Sequence, residues 1–280
     1  MNIQSAINKA KHLLKDNNIR SPGLDCELLM SKVLKKSRSY ILLNLNKDLK
    51  KRNLNNFINL VKERSRGKPI AYLIGKKEFW DYEFNIKEGV LIPRPDTEIM
   101  VEQVLNLTKN KSKLRILDIG TGSGCIILSI LKERKDYNGI GIDISKKCID
   151  MCKINTFNLN LTNRAKFFKS DVDNFVDAKY DLILSNPPYI NQVDLRCLEK
   201  DVYDFEPKSS LDGGIDGLSE IRKIVDKSSE LIKINGKLVL EIAFDQKFRV
   251  KKLLKDKGFY INKVLKDLAN NDRCIVSTKI

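Results

Sequence analysis

The sequence is short of the residues that most often carry acid–base and metal chemistry. Its 280 residues include one histidine, His12. That nearly excludes histidine-based acid catalysis, and with no Cys-x-x-Cys pair it argues against a structural zinc site. Cys148 and Cys152 stand one helical turn apart, yet the six cysteines, Cys26, Cys125, Cys148, Cys152, Cys197 and Cys274, are scattered through apolar or helical surroundings. Such a distribution reads as reduced thiols rather than a disulfide framework. No uninterrupted apolar stretch approaches the roughly 20 residues that cross a bilayer. Met1-Asn2-Ile3-Gln4-Ser5 opens an amphipathic pattern, without a basic region followed by an apolar signal core. A cytoplasmic protein with no membrane partner and no bound metal is expected.

Apolar residues and positive charge are plentiful. A hydrophobic content of 42% supports packed cores, and the length suits one sizeable domain plus a smaller one. The net charge is +16, and Met1 to Gly75 holds 16 Lys and Arg against 5 Asp and Glu, so +11 of it sits in that segment. A surface of this kind steers an acidic partner or a phosphate backbone. Clusters such as Lys50-Lys51-Arg52 are equally read as solvated helix faces in a chain rich in Lys, Asn and Ile throughout.

The pattern divides the chain into three. Residues 1–75 carry apolar positions at helical spacing, among them Ile7, Leu13, Leu14, Leu24, Leu28, Leu29, Val33, Leu54, Phe57, Ile58 and Val61, broken by Pro22-Gly23 and the polar Asn44 to Lys50. They predict a small helical bundle. Residues 76–95 alternate, with Phe79 to Ile86 and Val90 to Ile92 about a turn at Glu88-Gly89, and predict a β-hairpin linker. From residue 96 to residue 280, helical patterns alternate with strands near Leu114–Ile119, Gly139–Asp143, Ala165–Lys169, Asp181–Ser185, Lys237–Ala243, Tyr260–Leu265 and Arg273–Thr278. That is the signature of an α/β fold with a mostly parallel, doubly wound sheet of seven strands.

The most informative segment is Asn186-Pro187-Pro188-Tyr189, which follows the apolar run Tyr180 to Ser185. Pro188 has no N–H, and Pro187 before it is pushed towards an extended backbone, so the segment is rigid and its carbonyls meet fewer competing donors. The Asn186 side-chain oxygen and the Pro187 backbone oxygen can each accept one hydrogen of a planar NH₂ group. A proline-terminated strand and turn is the plainer reading of the same residues. Upstream, Arg115 to Ile119 leads into Gly120-Thr121-Gly122-Ser123-Gly124 and then the helical run from Cys125 to Leu131. Strand, glycine turn and helix N-terminus together can hold a polar ligand. The Gly-x-Gly-x-Gly spacing differs from the dinucleotide fingerprint. Asp143 ends the next strand, 23 residues beyond Gly120, placed to accept ribose hydroxyls or to cap the helix that follows. Asp171, just past the third strand, lies at the same edge and could likewise bind a ligand or cap.

Glycine turn, acidic strand tip and Asn-Pro-Pro-Tyr together resemble the class I S-adenosylmethionine-dependent methyltransferases that act on amino or amide nitrogens. Leu91 to Glu98, with its Arg94-Pro95-Asp96-Thr97-Glu98, the stretch Arg66 to Gly75, and Phe205-Glu206-Pro207 followed by Asp212 to Leu218 are similar to the HemK/PrmC family. The similarity runs from about Lys62 to the C-terminus. It implies methylation of N5 of the glutamine in the Gly-Gly-Gln motif of peptide chain release factors, with S-adenosyl-L-methionine as donor and the basic bundle docking the protein substrate. It also implies cofactor contacts from Gly120, Thr121, Gly122, Ser123, Gly124, Asp143, Asp171, Val172 and Asn186. Asn186, Pro187, Pro188 and Tyr189 would hold the substrate amide, with Asn186, Pro187 and Tyr189 at the reacting nitrogen. Val172 stands where larger or aromatic residues are common in the family, and Ala243 where glycine is. Glu206 and Gly213-Gly214 either shape the substrate entrance or form a turn-rich crossover. Direct nucleic-acid binding is not required by this reading. Two enzymatic alternatives use the same four residues: glutamine methylation of a ribosomal protein, and methylation of an exocyclic amine such as adenine N6 on a flipped base. A non-catalytic cofactor-binding module is the third.

Overall fold

Apolar residues three and four apart roll the first part of the chain into five helices, α1 (Ile3–Asp16), α2 (Pro22–Leu34), α3 (Arg38–Leu43), α4 (Lys51–Ser65) and α5 (Ile70–Ile74), in a computed structural model that describes residues 1–280. On α1 the buried positions are Ile3, Ala6, Ile7, Ala10 and Leu14, one stripe of a 3.6-residue helix. They pack with Cys26, Leu29, Met30, Ile41, Phe57, Val61 and Leu73. Leu13 of α1, Leu24 of α2 and Ile58 of α4, which share the apolar pattern, are exposed. Asn2 caps α1 by accepting the Ser5 N–H, and Ser37 caps α3 by accepting that of Tyr40.

A hairpin follows, β1 (Lys76–Phe79) and β2 (Tyr82–Asn85). Its turn is Trp80-Asp81, not Glu88-Gly89 as the sequence pattern suggested, and Val90 to Ile92 is not a strand. Trp80 adopts a left-handed φ of 55°, a conformation tryptophan rarely takes. Three bonds compensate: the Trp80 backbone N–H donates to Glu98 Oε1 (2.9 Å), its indole N–H to Glu133 Oε1 (3.3 Å), and the Tyr82 hydroxyl to the same Glu133 oxygen (2.8 Å).

The remaining elements are α6 (Glu98–Leu107), β3 (Arg115–Ile119), α7 (Cys125–Glu133), β4 (Asn138–Asp143), α8 (Lys146–Asn158), β5 (Ala165–Lys169), β6 (Tyr180–Ser185), α9 (Lys200–Phe205), α10 (Ser219–Leu231), β7 (Ile232–Glu241), α11 (Lys247–Asp256), β8 (Phe259–Lys266) and β9 (Asp272–Lys279). The seven strands run in the order β5-β4-β3-β6-β7-β9-β8. The first five are parallel, and β9 is antiparallel to both neighbours. Alternate residues feed two cores. Ile116, Leu182, Leu184, Val239 and Val276 pack with α6, α7 and α8, while Leu117, Ile183, Leu238, Leu240 and Ile275 pack with α10 and α11. A sheet buried on both faces explains why its strands read as near-continuous apolar runs. By internal contacts, Met1–Lys76 with Glu199–Phe205 form one compact unit, and Lys77–Leu198 with Glu206–Ile280 the other.

Candidate active site

From β3 the chain steps across the sheet to β4 and β5, and from β6 it steps the other way to β7. The reversal opens a crevice outside the carboxyl ends of β3 and β6, where doubly wound sheets bind their ligands. Ile119 and Ser185 are register partners there, and the Ser185 hydroxyl donates to the Ile119 carbonyl at 2.7 Å. The residues that follow them are Gly120 and Asn186, so the topology alone brings the glycine turn beside the Asn-Pro-Pro-Tyr segment.

The glycine turn is held from behind and open in front. The Gly120 and Thr121 N–H groups both donate to the Ile142 carbonyl (2.9 and 3.0 Å), the Thr121 hydroxyl to Asp118 Oδ2 (2.7 Å), and the Asn155 amide to the Ser123 carbonyl (2.9 Å). Gly120 and Gly122 take φ of 73° and 58°, and a Cβ added to either would meet nothing within 4 Å. Backbone is thus presented directly to an open face, the arrangement that lets a ligand approach it closely.

Asp143 ties this turn to β4. Its Oδ2 accepts the Gly122 N–H at 3.0 Å and its Oδ1 the Ser145 N–H at 2.8 Å. It is not the cap of α8: Ser145 is, accepting the Cys148 N–H. Burial pushes the Asp143 carboxyl up, and those two N–H groups pull it back. A carboxylate has room for about four acceptor bonds, so capacity remains for ribose hydroxyls. Asp171 is exposed, and its Oδ1 accepts the Asp173 N–H at 3.1 Å in a local turn. Val172 is buried in the cluster that includes Ile119 and Ile142, so its side chain belongs to the wall of the core at this edge. The open glycine turn and the residual capacity of Asp143 fit a nucleoside donor.

On the other side, the Asn186 side-chain NH₂ donates to the Thr97 hydroxyl oxygen at 3.1 Å. The nitrogen is therefore committed, and the oxygen is on the opposite branch of the carboxamide. Pro187 is buried, and Pro188 and Tyr189 are half-buried. Tyr189 is gripped at both ends. Its hydroxyl donates to Glu241 Oε1 at 3.1 Å, and its carbonyl accepts the Gln246 amide at 2.9 Å. The Gln246 amide also bridges to the Gly217 carbonyl (2.9 Å), while the Ile190 N–H donates to Leu211 O and the Gly213 N–H to Ile190 O. A Cβ on Gly217 would come within 2.6 Å of the Tyr189 carbonyl. The segment with Gly213-Gly214 is thus packed directly against the strand-end motif. Its leading residue, Glu206, is buried, accepts the Ile92 N–H at 3.1 Å and pairs with Arg94.

Asp118, Glu241 and Gln246 were given no role from the sequence, whereas Thr97 lies in Arg94–Glu98, the stretch that the family resemblance sets near the cofactor and the incoming glutamine. Asp118 and Glu241 were visible as lone carboxylates in apolar strands, a pattern that buries charge. Both are held up to about 7, each first by burial; at Asp118 the Thr121 hydroxyl pulls back and Asp143 adds to the rise. Glu98, beside Thr97, accepts the Trp80 N–H and serves the hairpin.

Comparison with known proteins identifies the family. Residues 5–75 match the PrmC N-terminal domain and residues 95–200 the methyltransferase small domain. The release factor glutamine methyltransferase of Buchnera aphidicola subsp. Schizaphis graminum is 39% identical over 279 residues, 100% of both chains. That of Clostridium botulinum is 40% identical over 272 residues, 95% of each chain. A methyltransferase from Pyrococcus furiosus shares the fold, with a TM-score of 0.53 and 17% identity over 70% of this chain and 89% of that one. Identity of this extent, along both the helical segment and the sheet, shows that the chain belongs to the release factor glutamine methyltransferase family.

Proposed function

We propose that the protein methylates N5 of the glutamine in the Gly-Gly-Gln motif of peptide chain release factors, using S-adenosylmethionine. Gly120 to Gly124 and Asp143 would hold the donor, whose chemistry when bound is a methyl group carried on a positively charged sulfur. Asp171 and Val172, just past β5, would flank the donor's base. An amide nitrogen is a poor nucleophile because its lone pair is delocalised into the carbonyl, so the protein's task is orientation and polarisation. Asn186 Oδ1 and the Pro187 carbonyl accept the two amide hydrogens, which raises electron density on nitrogen and favours the pyramidal geometry of attack. Pro188 keeps this strand end rigid, and Tyr189 bounds the pocket against the flat amide. Alignment of well-placed reactants is worth roughly 7 kcal/mol. The proton leaves to solvent after transfer.

The observation that carries this reading is the Asn186–Thr97 bond, which turns the asparagine nitrogen away and leaves its oxygen as acceptor at the sheet's reversal point. The basic helical unit docks the release factor, in a cytoplasmic setting. The test is transfer of labelled methyl to a purified release factor and to a variant whose motif glutamine is replaced. Native enzyme labels only the former, and Asn186→Ala, still folded and still binding donor, loses about 10²-fold or more in kcat. Persistent labelling of the glutamine variant, or labelling of DNA or RNA instead, defeats the assignment.

A further inference from the structure

Behind the strand-end motif lies a carboxylate with no part in the reaction as described above. Glu241 closes β7, is 2% exposed, and accepts the Tyr189 hydroxyl at Oε1, while its Oε2 has no hydrogen-bond partner. A buried polar atom left unmatched is costly, about 1–3 kcal/mol. Its neighbours explain what it does. Thr97, also buried, is among the groups that pull the Glu241 carboxyl down, through its hydroxyl, and that same hydroxyl accepts the Asn186 NH₂. Thr97 has one hydrogen to give. When that hydrogen is directed at Glu241, only lone pairs face Asn186, and the asparagine must present nitrogen to Thr97 and oxygen to the crevice.

We propose that Glu241 is a positioning residue for the methyl transfer: its carboxylate fixes Tyr189 directly and, through Thr97, fixes which end of the Asn186 carboxamide faces the substrate amide. The idea rests on the proposed function for its kinetic consequence only. A protonated Glu241 could donate to Thr97 instead, releasing the Thr97 hydrogen towards Asn186 and permitting the flipped amide, whose NH₂ would repel the substrate's own NH₂. The fully ionised side chain therefore selects the productive orientation.

The groups that face Glu241 are identifiable. Tyr189 comes from the segment after β6, Thr97 and Asp96 from the turn before α6, and Arg273 and Cys274 from β9. Arg273 favours the ionised form and Asp96 opposes it. Arg273 is in turn anchored on Asp267 at 2.8 Å and lies 3.9 Å from Asp96. With burial first among the causes, the carboxyl is raised to about 7, so both states of the switch are populated near neutral pH.

Two experiments decide the matter. In protein labelled with ¹⁵N-asparagine, the Asn186 side-chain NH₂ resonance, assigned by its loss in Asn186→Ala, is expected to shift with a midpoint near 7. The transition is expected to vanish in Glu241→Gln. This needs neither donor nor substrate, so it stands even if release factors prove not to be the target. Kinetically, Thr97→Val is expected to lose roughly ten- to a hundredfold in kcat, with the KM for release factor and the Kd for S-adenosylmethionine little changed, and Thr97→Ser is expected to recover most of the loss. A purely structural threonine would not divide the parameters this way. An Asn186 transition that persists in Glu241→Gln, or a folded Thr97→Val enzyme with native kcat, overturns the proposal. Failure of the native enzyme to methylate release factor would instead overturn the functional reading.

Discussion

Asp118 shows how a single side chain sets both the shape of the site and the pH response of the fold. It is fully buried beneath the glycine turn, accepts the Thr121 hydroxyl through Oδ2, and leaves Oδ1 without a partner. Its carboxyl is raised from 3.8 to about 7, by burial first. A carboxyl with a higher pKa folded than unfolded binds its proton more tightly in the native state. Its contribution to stability is therefore greatest below the unfolded value and is lost as pH rises through about 7. Asp118→Asn removes that titration while keeping an acceptor for Thr121. Urea denaturation at pH 5, 6 and 7 is expected to show the variant gaining on the native chain by about 1 kcal/mol per pH unit. A constant difference across that range would mean that Asp118 titrates normally. At Asn186 and Asp143 the position at the carboxyl edge of the sheet was legible in the sequence, because strand, turn and residue type were adjacent. The role of Glu241 was not, because only the folded sheet brings the end of β7 to Tyr189 of the strand-end motif.

Among the elements, the helical unit depends on one buried ion pair. Arg64 of α4 donates to Asp25 Oδ2 of α2 at 2.7 Å and to the carbonyls of Gly67 (3.3 Å) and Lys68 (3.0 Å), while Ser21 donates to Asp25 Oδ1. Both side chains are nearly inaccessible. One guanidinium thus joins two helices to the turn that enters α5. Replacing either partner leaves the other charge buried and unmatched, so Asp25→Ala is expected to cost about 3–5 kcal/mol. Calorimetry should register this as a lower transition temperature, and an unchanged transition would show that water replaces the carboxylate. Element type and order were readable from periodicity, because parallel strands buried on both faces differ plainly from amphipathic helices. The hairpin was displaced because Trp80, with no turn propensity, takes the left-handed position through its bonds to Glu98 and Glu133. The start of β7 at Ile232, five residues before Lys237, also escaped the pattern, since Lys233, Asn235 and Gly236 interrupt its apolar run.

Across the whole molecule the dominant physical property is charge. Of the net +16, +11 lies in the first 75 residues, whereas the methyl-transfer chemistry belongs to the other unit. Lys50, Lys51 and Arg52 are exposed at the start of α4, near the positive end of that helix, where cations are not stabilised by the helix dipole. Their placement is thus unfavourable for the helix itself, which makes them the cations to test for the proposed docking role. Electrostatic attraction of this sort acts on encounter and is screened over about 10 Å at 0.1 M salt. Raising salt from about 0.05 to 0.3 M is therefore expected to increase the KM for release factor several-fold with little change in kcat. Lys50→Glu/Lys51→Glu/Arg52→Glu should raise KM at low salt and flatten the salt dependence, while its kcat and its affinity for S-adenosylmethionine stay native. If the triple variant and the native enzyme show the same KM at every salt concentration, these cations are only a solvated helix face, and release factor is docked elsewhere.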